Sequence, residues 1–143
     1  MSSKYEIRMG GIAVRYLVEG TKRTIPLPCS SSTWRPAAKS PAHSHDGYEE
    51  TVYGLEGILT FTLEGKATEV GPGRVLVIPR GAVHRFDNFR RIAATLLTVI
   101  TPGILGPSCF REVADLLHAS AGGPPDLASL GTIMRRHGLT LAT

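Results

Sequence analysis

Two short segments of this chain place histidines at fixed distances from glycines and prolines, and they constrain its fold more than any other feature. The first segment carries His43, His45 and Glu50, and the second, about forty residues further on, carries His84. Three imidazoles and one carboxylate form a ligand set that suits a divalent transition metal ion. The sequence therefore predicts a chain with frequent turns that brings these four side chains together around one ion.

The spacing inside the first segment indicates a strand followed by a turn. Side chains alternate between the two faces of a strand, so His43 and His45 point the same way, whereas a helix would separate them by about 200°. The Asp-Gly pair at residues 46–47 predicts a turn, after which the chain can return a carboxylate to the histidines. Glu49 and Glu50 are adjacent and point to opposite faces, so alternation alone leaves either of them as the ligand.

The order and spacing of these residues resemble the two motifs of the cupin family. The second segment matches the second motif at all five positions, Gly73-x5-Pro79-x-Gly81-x2-His84-x3-Asn88. The first segment is similar to the first motif from its first histidine onward, His43-x-His45-x4-Glu50-x6-Gly57. The family often has a glycine six residues before that histidine, where this chain has Ala37. The resemblance covers roughly residues 35 to 100.

The cupin resemblance implies a double-stranded β-helix barrel, also called a jelly-roll barrel, that binds one divalent transition metal ion such as Fe, Mn, Ni, Zn or Cu. The implied ligands are His43, His45, Glu50 and His84. Glu50 is chosen over Glu49 because it has the family's six-residue gap to Gly57. We also expect Glu50 to be catalytic, since a carboxylate that leaves the metal can act as a general base. A homodimer is implied as well.

The function that the resemblance implies is open, because the fold serves several classes of protein. Four protein ligands on an octahedral ion leave two positions for a substrate. The leading hypothesis is a small metal-dependent oxidoreductase of the dioxygenase-like type, acting on a small chelating organic substrate. The alternatives are a non-catalytic small-molecule sensor or binding protein, and a sugar isomerase or epimerase. Aromatic residues either line the pocket or form the core, namely Trp34, Tyr48, Tyr53, Phe61 and Phe86.

Outside the two motifs the sequence predicts a mainly β fold. Short alternating or apolar runs with turn residues between them indicate strands over residues 11–18, 51–53, 58–63, 67–70, 75–78, 83–87 and 92–100. Residues 19–42 are rich in Ser, Pro and Thr and are predicted to be irregular with short strands. Together with the resemblance, this rhythm predicts a single cupin domain over residues 1–143. Its barrel would span about 5–102 and a helical appendage about 103–143.

Two short amphipathic helices are predicted after the last strand. The first has an apolar stripe over residues 110–117 and Ser108 as its N-cap. The Gly-Gly-Pro-Pro sequence at 122–125 ends it, and Asp126 and Gly138 are expected to begin and end the second helix. These helices either dock on the outside of the barrel or cover its mouth. We expect the two histidines in this region to be solvated, namely His118 and His137.

Composition argues against several classes of function. The net charge is +4, but the basic residues are scattered, so we expect a small-molecule partner and no nucleic acid. No apolar run approaches the length of a membrane span, and the first residues lack the apolar core of a signal peptide. We therefore expect a cytoplasmic protein without a membrane partner. Cys29 and Cys109 have no neighbour at metal or redox spacing and are expected to be free thiols.

Overall fold

The computed structural model describes residues 6–18 and 28–142, which form two antiparallel sheets and two helices. The strands are β1 Glu6–Met9, β2 Ile12–Val18, β3 Cys29–Trp34, β4 His43–His45, β5 Glu49–Glu56, β6 Leu59–Leu63, β7 Lys66–Val70, β8 Val75–Ile78, β9 His84–Asp87, β10 Ala94–Thr101 and β11 Leu139–Leu141. One sheet has the order β1-β2-β3-β10-β5-β8, and the other has the order β11-β4-β9-β6-β7. The structure confirms the predicted mainly β fold with two C-terminal helices.

The predicted strands correspond closely to the observed ones. The strand predicted at 11–18 is β2, and those predicted from residue 51 to residue 100 are β5 to β10, each within three residues at either end. Residue 5, the predicted start of the barrel, and residues 19–27 of the predicted irregular segment lie outside the described residues. The remainder of that segment contains β3, which pairs with both β2 and β10 and is therefore an interior strand.

The main apolar core lies between the two sheets, because side chains alternate along each strand. In β10, Ala94, Leu96 and Ile100 are buried while their neighbours are partly exposed. Burying a large apolar side chain contributes about 1.5–3 kcal/mol relative to leaving it in water. The members of this core with the largest side chains are Trp34, Leu59, Phe61, Ile78 and Phe86.

The two helices follow the sheets and have clear start signals. Helix α1, Pro107–Ala119, begins after Gly106 with proline in its first turn, so the prediction of Ser108 as the N-cap is wrong. Proline is favoured there because its missing N–H is one that the helix could not use. Helix α2, Leu127–Arg136, confirms Asp126 as the N-cap, since its carboxylate accepts the N–H of Ser129 at 2.9 Å. Across the described residues, neither helix combines the length and hydropathy that a membrane crossing requires.

The helices cover the mouth between the sheets instead of docking on an outer face. Leu130 and Met134 of α2 pack in one buried cluster with Tyr48 and Ile100, while α1 covers β1 and β2. The helices are joined by Glu112, whose Oε1 lies 2.8 Å from the Nε2 of the half-buried His137. The expectation that His137 is solvated is therefore wrong, because the packing of α1 against α2 encloses it. His118 is exposed.

Strand β11 was not predicted, and it supports the strand that carries two of the histidines. It pairs with β4 over three residues, Leu139 with His45, Thr140 with Ser44 and Leu141 with His43. On its other side β4 shares a single pair with β9, His43 with His84. Most of the pairing of β4 therefore comes from the segment predicted as a helical appendage.

The turn before β4 forms without the glycine that the family often has there. Ala37 adopts the left-handed conformation, with φ at 63°, and its N–H donates to the carbonyl of Asn88 at 3.0 Å. The side chain of Asn88 in turn donates to the carbonyls of Trp34 and Ile92, both at 2.9 Å. These contacts hold an alanine in a conformation that costs about 1–2 kcal/mol for an L-residue.

Replacing Ala37 with glycine is expected to stabilise the protein by about 0.5–1 kcal/mol. Glycine removes the free-energy cost of the left-handed conformation, and this gain exceeds the entropic cost of ordering a glycine, which is more flexible than alanine in the unfolded chain. The free energy of unfolding, measured by urea denaturation, checks this. Ala93→Gly is the matched control, since Ala93 is exposed and is not among the residues with positive φ. That control should be neutral or destabilising, and an equal gain in both variants would contradict the assignment of strain to Ala37.

Truncation after Pro102 is expected to abolish cooperative unfolding. It removes β11 and the helix residues that bury Tyr48 and Ile100. The loss of about five buried apolar side chains at about 1.5–3 kcal/mol each is comparable to the total stability of a typical domain. Thermal unfolding followed by circular dichroism checks this. A shorter deletion of residues 139–143 isolates the effect of β11, and a truncated protein that still unfolds cooperatively would show that the helices are dispensable for the barrel.

Candidate metal centre

The four predicted ligand residues come from strands of both sheets. His43 and His45 lie on β4 and His84 on β9 of the five-stranded sheet, while Glu50 lies on β5 of the six-stranded sheet. All four are buried. Strand alternation places His43 and His45 on the same inner face, and it sends Glu50 inward while Glu49 is exposed. The side chains therefore meet between the sheets.

Three of these residues converge closely. The Oε2 atom of Glu50 lies 3.4 Å from Nε2 of His45 and 3.7 Å from Nε2 of His84. One donor atom from each of these three residues lies within 4.8 Å of the other two. His43 is not part of this closest group. Its ring lies against that of His84, with ring centroids 4.4 Å apart, and 6.3 Å from that of His45.

Backbone carbonyls hold all three imidazoles in one tautomer. The Nδ1 atoms of His43, His45 and His84 lie 2.9 Å from the carbonyl oxygens of residues 41, 48 and 82 respectively. A carbonyl can only accept a hydrogen bond, so each Nδ1 carries a proton, and a neutral imidazole then has its lone pair at Nε2. Histidines that bind metals through Nε2 usually make this second contact, which fixes the orientation of the ring.

The charge balance inside the site favours a cation. Burial alone would raise the pKa of Glu50, but contacts with His45 and His84 hold this pKa at about 2, so the side chain is a carboxylate. Burial, and next the charge of His84, lower the pKa of His43 to about 4, so this imidazole is neutral at pH 7. A buried carboxylate facing nitrogen lone pairs needs a positive charge between them.

The donor set fits a divalent transition metal ion. Nε2 of His84 is buried and has no hydrogen-bond partner within the part of the chain that the structure describes. Imidazole nitrogens and a carboxylate oxygen are suitable ligands for Fe, Mn, Ni, Cu and Zn. A metal ion between Glu50 and the histidines would satisfy this nitrogen and supply the missing charge. Only a proton on an imidazole could otherwise supply that charge.

A cavity of about 550 Å³ extends from this site to the two helices. Its lining includes His43 and Glu50 of the site as well as Leu130 and Met134 of α2. Four of the five aromatic residues considered above are buried and also line the cavity, namely Trp34, Tyr48, Phe61 and Phe86.

The pocket differs from the sequence-based prediction in two respects, the position of Tyr53 and the contribution of the helices. Tyr53 is 41% exposed on the outer face of β5, so it neither lines the pocket nor belongs to the core. The cavity residues of the helices were missed. Their apolar stripes were visible in the sequence, but a stripe does not indicate which element it faces.

Comparisons with known proteins agree with this geometry. A sequence model of the cupin domain matches residues 31–100. The chain is 33% identical over 75 residues to quercetin 2,3-dioxygenase of Bacillus subtilis (strain 168), an alignment covering 51% of this chain and 21% of that protein. The chain thus spans about a fifth of the length of this curated relative.

Two solved structures resemble the fold at modest identity. A sugar phosphate isomerase of the cupin superfamily from Silicibacter pomeroyi is 27% identical with a TM-score of 0.57, covering 64% of this chain and 60% of that one. The polyketide cyclase RemF from Streptomyces resistomycificus is 25% identical with a TM-score of 0.58, covering 70% of this chain and 69% of that one. The sequence model, the two matched motifs and the two facing sheets together show that residues 31–100 form a cupin domain.

Proposed function

We propose that this protein is a metal-dependent oxidoreductase of the dioxygenase-like type that acts on a small chelating organic substrate. His45, Glu50 and His84 would hold one divalent transition metal ion, with His43 as a fourth ligand. The observation that carries the proposal is the convergence of the Nε2 atoms of His45 and His84 on a buried carboxylate. When bound, such an ion supplies Lewis acidity for substrate oxygens and, if redox-active, a route for electrons to dioxygen.

The residues of the chain have distinct roles in this proposal. The backbone carbonyls that accept from each Nδ1 orient the three imidazoles, and the surrounding buried side chains exclude water. Glu50 carries the negative charge of the site and is the proposed proton acceptor. Proton uptake at its Oε2 requires that this oxygen is first released from its contacts in the site.

The apolar walls of the cavity favour the dioxygenase-like hypothesis over a sugar isomerase. A phosphorylated sugar brings several hydroxyls and a dianionic group, and burying such groups without partners costs several kcal/mol. The walls of this cavity are mainly apolar. The similarity to the Bacillus subtilis dioxygenase points the same way. A sensor without turnover differs from the enzyme only in the absence of reaction, so an activity assay separates them.

Alanine at His45 or His84 is expected to weaken metal binding by at least about 100-fold, because each change removes one of the three closest donors. His43→Ala should have a smaller effect, since His43 lies outside that group. Elemental analysis after purification under low oxygen, followed by dialysis, provides the measurement. His118→Ala is the matched control on the exposed surface. Full metal occupancy in both the His45 and His84 variants would remove the proposed site.

Glu50→Gln is expected to weaken metal binding by about 100-fold or more, while Glu49→Gln stays within threefold of the unchanged protein. Both changes remove one charge, but only Glu50 lies beside the imidazoles and Glu49 is exposed. Competition against a chromogenic chelator with Co²⁺ measures both affinities. An equal or reversed effect would mean that Glu49 is the carboxylate ligand.

Oxygen consumption tests the reaction class. We expect about one equivalent of Fe, Mn, Ni or Cu per chain, and oxygen uptake with some member of a panel of enol, diketone and catechol-like compounds. The uptake should be lost in His84→Ala. Zinc in the purified protein, or no uptake with any member of the panel by the metal-loaded chain, would count against the oxidoreductase and favour the isomerase or sensor.

A further inference from the structure

The cavity joins two parts of the molecule with opposite chemistry. Its walls include His43 and Glu50, and they also include side chains of α1 and α2 such as Val113, Leu130 and Met134. A volume of about 550 Å³ falls within the range of pockets that hold drug-sized molecules, about 300–1,000 Å³. A molecule that contacts the metal centre and fills this space therefore also contacts the helices.

The cavity contains almost no charge outside the metal centre. Apart from the histidines and Glu50, its charged lining residues are Lys39 and Arg85, and both are exposed. Arg85 is already paired with Asp87, with Nε and Oδ2 3.0 Å apart. Among the hydroxyl groups of the walls, that of Ser32 accepts a hydrogen bond from the indole of Trp34 at 2.9 Å. The hydroxyl of Tyr48 is buried without a hydrogen-bond partner among the described residues, so the walls offer a few uncharged polar groups and no buried basic side chain to recognise an anionic body.

We infer that the ligand of this site has an oxygen-chelating head and a bulky apolar body, and that α1 and α2 set the size of that body. This inference rests on the proposed function for the head and on the cavity for the body. The head lies at His43 and Glu50, and the body packs against the apolar stripes of the helices. Both sheets contribute the remaining walls, and the helices lie outside the matched cupin segment, as do the lining residues of β1 and β2.

Val113 is the residue best placed to test the role of the helices. It lines the cavity from α1, and it is only partly buried, so a larger side chain there can enter the open space. Val113→Phe is expected to fill part of the cavity without altering His43, His45, Glu50 or His84. Arg111→Phe is the matched control, because it introduces the same side chain on the exposed side of the same helix.

The experiment compares two hydroxamic acids that share a chelating head. Acetohydroxamate carries a methyl group and 2-naphthohydroxamate carries a naphthyl group, and both are titrated calorimetrically into Co²⁺-loaded protein. We expect the naphthyl compound to bind at least about 30-fold more tightly, because its rings are removed from water in the cavity. In Val113→Phe this ratio should fall below about threefold with acetohydroxamate unchanged, whereas Arg111→Phe should keep the full ratio. Equal binding of the two compounds, or a ratio that survives Val113→Phe, would overturn the inference.

A second probe makes the result independent of the metal. N-Phenyl-1-naphthylamine is uncharged, cannot chelate strongly, and fluoresces when it enters an apolar site. It should bind to metal-free protein and to Arg111→Phe but at least tenfold more weakly to Val113→Phe, with equal thermal stability showing that all three are folded. If the Val113→Phe protein does not fold, Phe110→Leu replaces it as the test. This change makes a lining side chain of α1 smaller and so enlarges the cavity, and the variant should bind the probe at least as tightly as the unchanged protein. If the protein proves unable to bind a metal ion but passes this test, only the proposed function is refuted, while the absence of probe binding would refute the apolar body.

Discussion

A carboxylate buried among imidazoles is the constraint on which the rest of the structure depends. Glu50 is charged and enclosed between two sheets, where an unpaired charge would be destabilising by several kcal/mol. The fold meets this constraint by directing His45 and His84 at Glu50 from the opposite sheet. It also fixes the ring orientation through backbone carbonyls at residues 48 and 82. The site is therefore built by strand pairing and tight turns as much as by the ligand side chains themselves.

The features that the sequence predicted well are those set by local spacing. The shared face of His43 and His45, the inward direction of Glu50 and the N-cap at Asp126 each depend on residues a few positions apart. Tyr53 shows the limit of such reasoning, because an aromatic residue on a strand can face either side and the outer face here is exposed. Strand β11 shows another limit. Its three residues carry almost no pattern of their own, and only their pairing with β4 makes them a strand.

The metal ligands and part of the cavity wall come from different segments of the chain, so the pocket can vary while the proposed metal centre stays the same. The matched cupin segment supplies the metal ligands and much of the core, whereas the helices that follow it supply the far wall. Substitutions in those helices can change the size of the pocket without touching the histidines. The Gly-Gly-Pro-Pro break between the helices lets each of them pack at its own angle, α1 on β1 and β2 and α2 on the cluster around Tyr48.

The pairing of β4 with β11 also determines when the proposed metal centre can form during synthesis. Strand β11 follows β4 by more than ninety residues, and within the described residues β4 has one other strand pair, with β9. At a translation rate of about 5–20 residues per second, synthesis of the residues between β4 and β11 takes roughly 5 to 20 s, and β4 lacks its main strand partner for that time. During that interval the imidazoles of His43 and His45 lie in an unfinished sheet. Tight binding of an ion by these two residues is consequently expected only after β11 has been made and has paired with β4.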